Sequence, residues 1–256
     1  MDDGWTHVAK SKKSRAPKPV SGHSNPPARD ITVESLTTET AAKTKAWRLS
    51  SCHKSLLTLL DRIRPDDGWN IRRAICLGCG SLSRDNVECR RRSVWQMVVF
   101  VEMAKELGIE ELYAQEPTFT DLDEQFLKTL NVEVLGMTTD NAENVLGPAK
   151  EILGPEAMLF EPFVDMNAGM VQELFEQDVA LYIGSSMKGL AEKAARADAT
   201  GESRKTLSNV IEAGLLAKRF CDGRRLYRFP TFDVDPNIFD GMSIYWKEEK
   251  DSDYEG

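Results

Sequence analysis

The apolar run Arg73 to Leu77 passes without a break into Gly78, Cys79, Gly80 and Ser81, so a buried strand ends directly in a Gly-x-Gly-Ser turn. Glycine has no Cβ to block an approach, and such a turn brings backbone N–H groups up to a phosphate, a ribose or a carboxylate. A second apolar run, Glu111 to Gln115, closes on Glu116, whose carboxylate is of the type that holds ribose hydroxyls. A third, Val179 to Ile183, closes on Gly184 and Ser185. Gly78, Gly80, Ser81, Glu116, Gly184 and Ser185 are therefore the candidate residues for binding a nucleoside-type ligand. The full G-x-G-x-x-G pattern is absent because residue 83 is Ser83. Glu116 reads as an exposed strand-end carboxylate, whose removal should cost little stability.

Other chemistries find less support. The three histidines, His7, His23 and His53, fall in the N-terminal tail or on the first helix, so no histidine stands at a strand end as a general base, and no catalytic residue is assigned. Cys76 and Cys79 form a C-x-x-C, but Cys76 lies inside the apolar strand and no second pair completes a metal shell, so the two read as a buried hydrophobe and a turn residue. Asp121 with Asp123, and Asp233 with Asp235, read as helix-start and turn residues. Cys52 with His53 is a thin candidate for haem, since Cys52 belongs to the core face of its helix. Arg84, Arg90, Arg91 and Arg92 read as a solvated basic loop that could add anion affinity near a helix start.

The elements that must hold these positions follow from apolar periodicity. Leu49, Cys52, Leu56, Leu60 and Ile63 share one face of a helix expected from about Glu39 to Arg64, ended by Pro65. After the first strand, Ser93 with Gln96 forms a capping box for a helix running to Leu107. A helix from Asp121 to Leu130 and strands at Val132 to Leu135, Met158 to Phe160 (closed by Glu161) and Val179 to Ile183 follow. Residues 186 to 206 read as a mobile loop, then come a helix from Lys205 to Phe220 and edge strands at Arg225 to Phe229 and Met242 to Trp246. This alternation predicts an α/β fold: a Rossmann-like, doubly wound, mainly parallel sheet of five or more strands with helices on both faces. Ligands of such sheets sit beyond the carboxyl ends of the strands, where the special residues fall.

With 256 residues and 41% apolar content, the chain supports one substantial domain, expected over residues 36–246. Residues 1–35 read as a disordered tail with Lys10, Lys12, Lys13, Arg15 and Lys18 among prolines, and residues 247–256 as an acidic tail. The basic cluster could serve as a nuclear localisation signal or touch RNA weakly. A net charge of −8 argues against a dedicated nucleic-acid surface. Five scattered cysteines suit a reducing compartment. No run approaches a membrane span and no secretory signal is recognised, so a soluble intracellular protein is expected.

The combination of Ile75 to Ser81, Gln96, Glu116-Pro117 with Phe119-Thr120, and Tyr182-Ile183-Gly184-Ser185 resembles the Sensitivity-to-Red-light-Reduced-like family over about Leu56 to Trp246. The opening Asp3-Gly4-Trp5-Thr6-His7-Val8 is similar to that of many members. Two departures stand out: Glu116, where members more often carry Asp, and Glu161-Pro162, where they more often have an apolar or histidine-containing strand end. The resemblance implies a regulatory protein, cytoplasmic and nuclear, acting through protein partners or a small regulatory ligand. Members are linked with circadian-clock input and light signalling, haem biosynthesis control and, in fungi, microtubule-related phenotypes. The alternative, drawn from the residues, is a transferase using a nucleoside cofactor, such as an S-adenosylmethionine-dependent methyltransferase with Gly78, Gly80 and Glu116 on the cofactor.

Overall fold

A computed structural model describes residues 27–136, 145–162, 164–196 and 204–247. Its elements are α1 Val33–Leu49, α2 Ser51–Arg62, β1 Arg73–Leu77, α3 Val87–Glu106, β2 Glu111–Gln115, α4 Asp121–Thr129, β3 Val132–Val134 and α5 Ala149–Ile152. They continue with β4 Ala157–Glu161, α6 Ala168–Gln177, β5 Leu181–Ser185, α7 Met187–Arg196, α8 Arg204–Asp222, β6 Arg225–Arg228 and β7 Met242–Trp246. The strands form one sheet in the order β3-β2-β1-β4-β5-β7-β6. The pairs from β3 to β5 are parallel, and β7 runs antiparallel to both β5 and β6. Growth from β1 reverses direction between β1 and β4, which is the switch point of a doubly wound sheet.

Both faces of the sheet are covered, as the near-continuous apolar strands require. Ala74, Cys76, Phe160 and Ile183 point to the side packed by α1, α2, α3 and α4. Their neighbours Ile75, Leu77, Leu159 and Tyr182 point to the side packed by α5, α6, α7 and α8. The α/β, doubly wound architecture expected from the alternation is the one observed.

Several elements differ from the sequence expectation. Helices α5 and α6 were not expected, α1 starts at Val33 ahead of Glu39, and β7, expected as an edge strand, lies between β5 and β6. The single helix through Leu49 is two helices: Ser50 ends α1, and its hydroxyl accepts the His53 N–H to cap α2. The break turns Leu49 out to 70% exposure, while Cys52, Leu56 and Leu60 stay in the core. Helix α3 begins before Ser93, because Asn86 supplies the N-cap through the Cys89 N–H at 2.9 Å. Ser93 and Gln96 are buried within the helix, where the Ser93 hydroxyl donates back to the Cys89 carbonyl. Arg90, Arg91 and Arg92 ride on its first turns, with Arg91 and Arg92 paired to Glu88. The expected loop after residue 186 contains α7, and α8 starts at Arg204. The basic segment up to residue 26, residues 197–203 and the acidic segment from Glu248 lie outside the described residues.

The connection between β6 and β7 reaches back to the first helices. Phe232 is wedged between the rings of Trp47 and Trp95, at centroid distances of 5.7 and 4.8 Å. Asp233 accepts the N–H groups of Ser51 and Cys52 at 3.1 and 3.4 Å, adding a second cap to α2, and Asp235 pairs with Arg91. Among the described residues, no helix is long and apolar enough to cross a membrane.

Candidate functional site

The turn after β1 lies beside the switch point, with Glu116 closing β2 on one side and Glu161 closing β4 on the other. Gly78 and Gly80 both adopt φ +75°, a left-handed conformation that side chains rarely take. The Gly78 N–H bonds the Gln115 carbonyl, and the Gly80 N–H donates to Glu116 Oε2 at 2.9 Å. Glu116 Oε1 accepts both the N–H and the hydroxyl of Thr118, at 3.0 and 2.7 Å. Arg84 donates in turn to the Thr118 hydroxyl at 3.0 Å. A chain of charge-assisted hydrogen bonds thus ties the loop after β1 to the loop after β2.

The half-buried Glu116 carboxylate therefore works as a brace on the turn, where the sequence led to an exposed carboxylate free to hold a ligand and cheap to remove. Glu116→Ala is expected to cost about 1.5 kcal/mol in urea unfolding, the loss of hydrogen bonds to a charged group. An unchanged midpoint would remove the brace from consideration.

Ser81 is fully buried, and its hydroxyl accepts the Ser83 N–H at 3.3 Å within the loop. Ser83 reaches on to the Thr120 hydroxyl at 2.9 Å, and Thr120 caps α4 in a capping box with Asp123. Asp121 and Asp123 are indeed helix-start residues.

Gly184 and Ser185 are the last two residues of β5 and do not follow it as expected. Pairing extends to them because β4 places Glu161 opposite Gly184, and β7 places Met242 opposite Ser185. They surround a residue that sequence reasoning placed at a strand end but left out of the site. Glu161 is completely buried; its carboxylate accepts the Tyr182 hydroxyl at 2.7 Å, the Ser185 N–H at 3.0 Å, the Ser185 hydroxyl at 3.3 Å and the Val164 N–H. Burial pushes its pKa up to about 7, against the pull of these donors. Its local signal was the repeat of Glu-Pro at two strand ends, Glu116-Pro117 and Glu161-Pro162.

Val164 joins the two halves. Its N–H lies on Glu161, while its Cγ2 stands 2.3 Å from where a Cβ on Gly78 would be. An apolar side chain of the chain itself thus packs directly against the glycine turn, beside the switch point. Nothing in the sequence marks Val164 for this position.

The remaining chemical residues are turned inward. Hydrogen bonding with Cys76 and burial raise the Cys79 thiol well above its ordinary value, which disfavours a thiolate. Burial and nearby Asp233 push Cys52 up to about 12, and its thiol donates to the Pro230 carbonyl. His53 packs on α2 against Trp47. Among the described residues, no group of three His, Cys, Asp or Glu side chains is arranged to hold a metal ion.

A mainly parallel sheet with helices on both faces and a glycine turn beside its switch point defines a Rossmann-type α/β domain. Residues 53–246 match the SRR1 domain, and the protein belongs to that family. No curated protein matches the chain in sequence. Among solved structures it is similar to an O-methyltransferase from Bacillus cereus in complex with SAH, at 14% identity and TM-score 0.39 over 86% of this chain and 92% of that one. It is likewise similar to the SAH-bound Podospora anserina methyltransferase PaMTH1, at 13% identity and TM-score 0.38 over 88% and 91%. A human methyltransferase 10 domain containing protein gives 10% identity and TM-score 0.35 over 86% and 100%.

Proposed function

We propose that the protein is a regulatory member of the SRR1 family that acts through protein partners, on a Rossmann-type scaffold whose strand-end crevice is closed by its own residues. The observation that supports this reading is the self-occupation of the crevice: Val164 over Gly78, and the Glu116 carboxylate on the Gly80 N–H. A ligand anion at the turn would compete with a tethered carboxylate already in place. The cytoplasmic and nuclear location and the links with clock input, light signalling, haem biosynthesis and microtubule-related phenotypes belong to this proposal as its family-derived part.

The second reading is a transferase that holds S-adenosylmethionine or another nucleoside on Gly78, Gly80, Ser81, Glu116, Gly184 and Ser185. What favours it is the pair of φ +75° glycines, of which Gly80 presents its N–H to a carboxylate while Gly78 bonds the Gln115 carbonyl. Calorimetric titration of the full chain with S-adenosylmethionine, NAD and ATP separates the two. The regulatory reading expects none to bind tighter than millimolar. Tight binding of any one, lost in Glu116→Ala, would replace it with the transferase reading.

A further inference from the structure

Thr118 stands between two opposite charges. Its hydroxyl donates to Glu116 Oε1 at 2.7 Å and accepts from Arg84 Nη2 at 3.0 Å. The Nε of Arg84, on the same edge of the guanidinium, is buried and has no hydrogen-bond partner. Arg91 shows what this edge normally holds: its Nε and Nη2 grip both oxygens of the Glu88 carboxylate at 3.1 and 2.7 Å. At Arg84 only half of the fork is filled, by a neutral hydroxyl, and Arg84 forms no ion pair among the described residues. Arg90 brings a second guanidinium that is likewise outside any ion pair among the described residues, with its Nη1 on the Arg84 carbonyl at 2.7 Å. A buried donor left unpaired is costly, so the edge is built for an acceptor that the unmodified hydroxyl supplies only in part.

The geometry points to Thr118 as a phosphorylation site whose phosphate is held by Arg84 and whose modification releases the glycine turn. A phosphoryl group brings acceptor oxygens and a negative charge to the half-empty fork, and guanidinium is the group that matches it. The segment suits a kinase, since Pro117 is exposed, Thr118 is partly so, and the exposed Asp121 lies three positions after Thr118, where acidophilic kinases read a carboxylate. Thr120 has Asp123 at the same spacing, but its hydroxyl is already committed to the Asp123 N–H and to Ser83. In the reaction the Thr118 oxygen takes the γ-phosphoryl group of ATP, the bond to ADP breaks, and the hydroxyl proton passes to the base of the kinase. The donor that Glu116 Oε1 accepted is then gone, and a phosphate dianion stands against its carboxylate. Repulsion between them moves Glu116 off the Gly80 N–H, which it now holds at 2.9 Å. The inference rests on the regulatory reading above and names its regulation: a kinase that undoes the Glu116 brace.

The test treats the full chain with ATP and casein kinase II, places the phosphate by fragmentation mass spectrometry and follows it by phosphorus NMR. A phosphate on Thr118 is expected, and none at that position in Thr118→Val. Its second ionisation constant should be about tenfold larger than in the same chain unfolded in urea, because the Arg84 cation favours the dianion. Arg84→Gln should bring the two values together. Hydrogen exchange at the Gly80 amide should accelerate about tenfold on phosphorylation, the loss of one bond to a carboxylate. Thr118→Val adds no charge and should accelerate it far less. A Thr118 left unmodified in the folded chain, a phosphate that ionises alike in the folded and unfolded chain, or a Gly80 amide that exchanges at the parent rate after phosphorylation would overturn the inference. Tight S-adenosylmethionine binding by the unmodified chain, with the phosphate behaving as expected, keeps this site and defeats the closed-crevice reading instead.

Discussion

Gly184→Ala is expected to destabilise the protein by about 3 kcal/mol or more, enough to lose a large part of its soluble yield. A Cβ at this position would lie 2.4 Å from the Glu161 carbonyl oxygen and 2.8 Å from both Glu161 Oε2 and the Tyr182 hydroxyl. The first of these atoms belongs to the backbone of β4, which is paired on its other side to β1 and cannot retreat without opening the sheet. The other two form the hydrogen bond that satisfies the buried carboxylate, so moving them leaves a polar group unpaired as well. Urea unfolding of the purified variant measures the loss. A midpoint within experimental error of the parent would mean that β4 and β5 are less tightly held than their pairing indicates.

Glu161 carries the second large expectation, a stability that falls as pH rises. In the folded chain its carboxyl keeps the proton up to about pH 7, whereas an unfolded glutamate loses it near the ordinary 4.5. Between these values the folded state binds more protons than the unfolded one, so the contribution of this group is greatest at or below 4.5. It declines through the window and levels off above about 7. At about 1.4 kcal/mol for each pH unit, the decline from this one residue is about 3 kcal/mol. The neutral form is accommodated because the Ser185 hydroxyl can rotate to accept the added proton. Glu161→Gln has no proton to lose, so the difference in unfolding free energy between parent and variant should change across the window and be flat outside it. A constant difference would show that the carboxylate is far better solvated than its burial implies. Because the Val164 N–H donates to this carboxylate and its side chain covers Gly78, titration here bears on the closure of the glycine turn too.

The sheet strands and the glycine turn were legible because their signals are local: an apolar run, then residues without a Cβ. The strand order was not: Met242 to Trp246 reads as an edge strand, yet β7 lies between β5 and β6, a placing that depends on contacts far apart in sequence. Glu116 was visible as a strand-end acid, but its partner Gly80 precedes β2 by an entire helix, and no pattern in either segment announces the bond. The break at Ser50 was hidden because Leu49 keeps the helical spacing, and only Ser50, which ends α1 and caps α2, reveals it. The early start of α3 was masked by three arginines, which read as a loop although arginine is a good helix former and Glu88 pairs with two of them. Val164 had no signal at all, because covering a crevice takes only an apolar side chain in the right place.

The wedge of Phe232 between Trp47 and Trp95 bears on how the chain matures during synthesis. The residues of the aromatic notch, on α1 and α3, are translated early in the domain, but the ring that fills it follows six of the seven strands. Until that ring leaves the ribosome, the nascent chain presents two tryptophans with an unfilled gap between them, a surface that invites chaperone capture or aggregation. Completion of the core is thereby timed to the release of almost the whole domain.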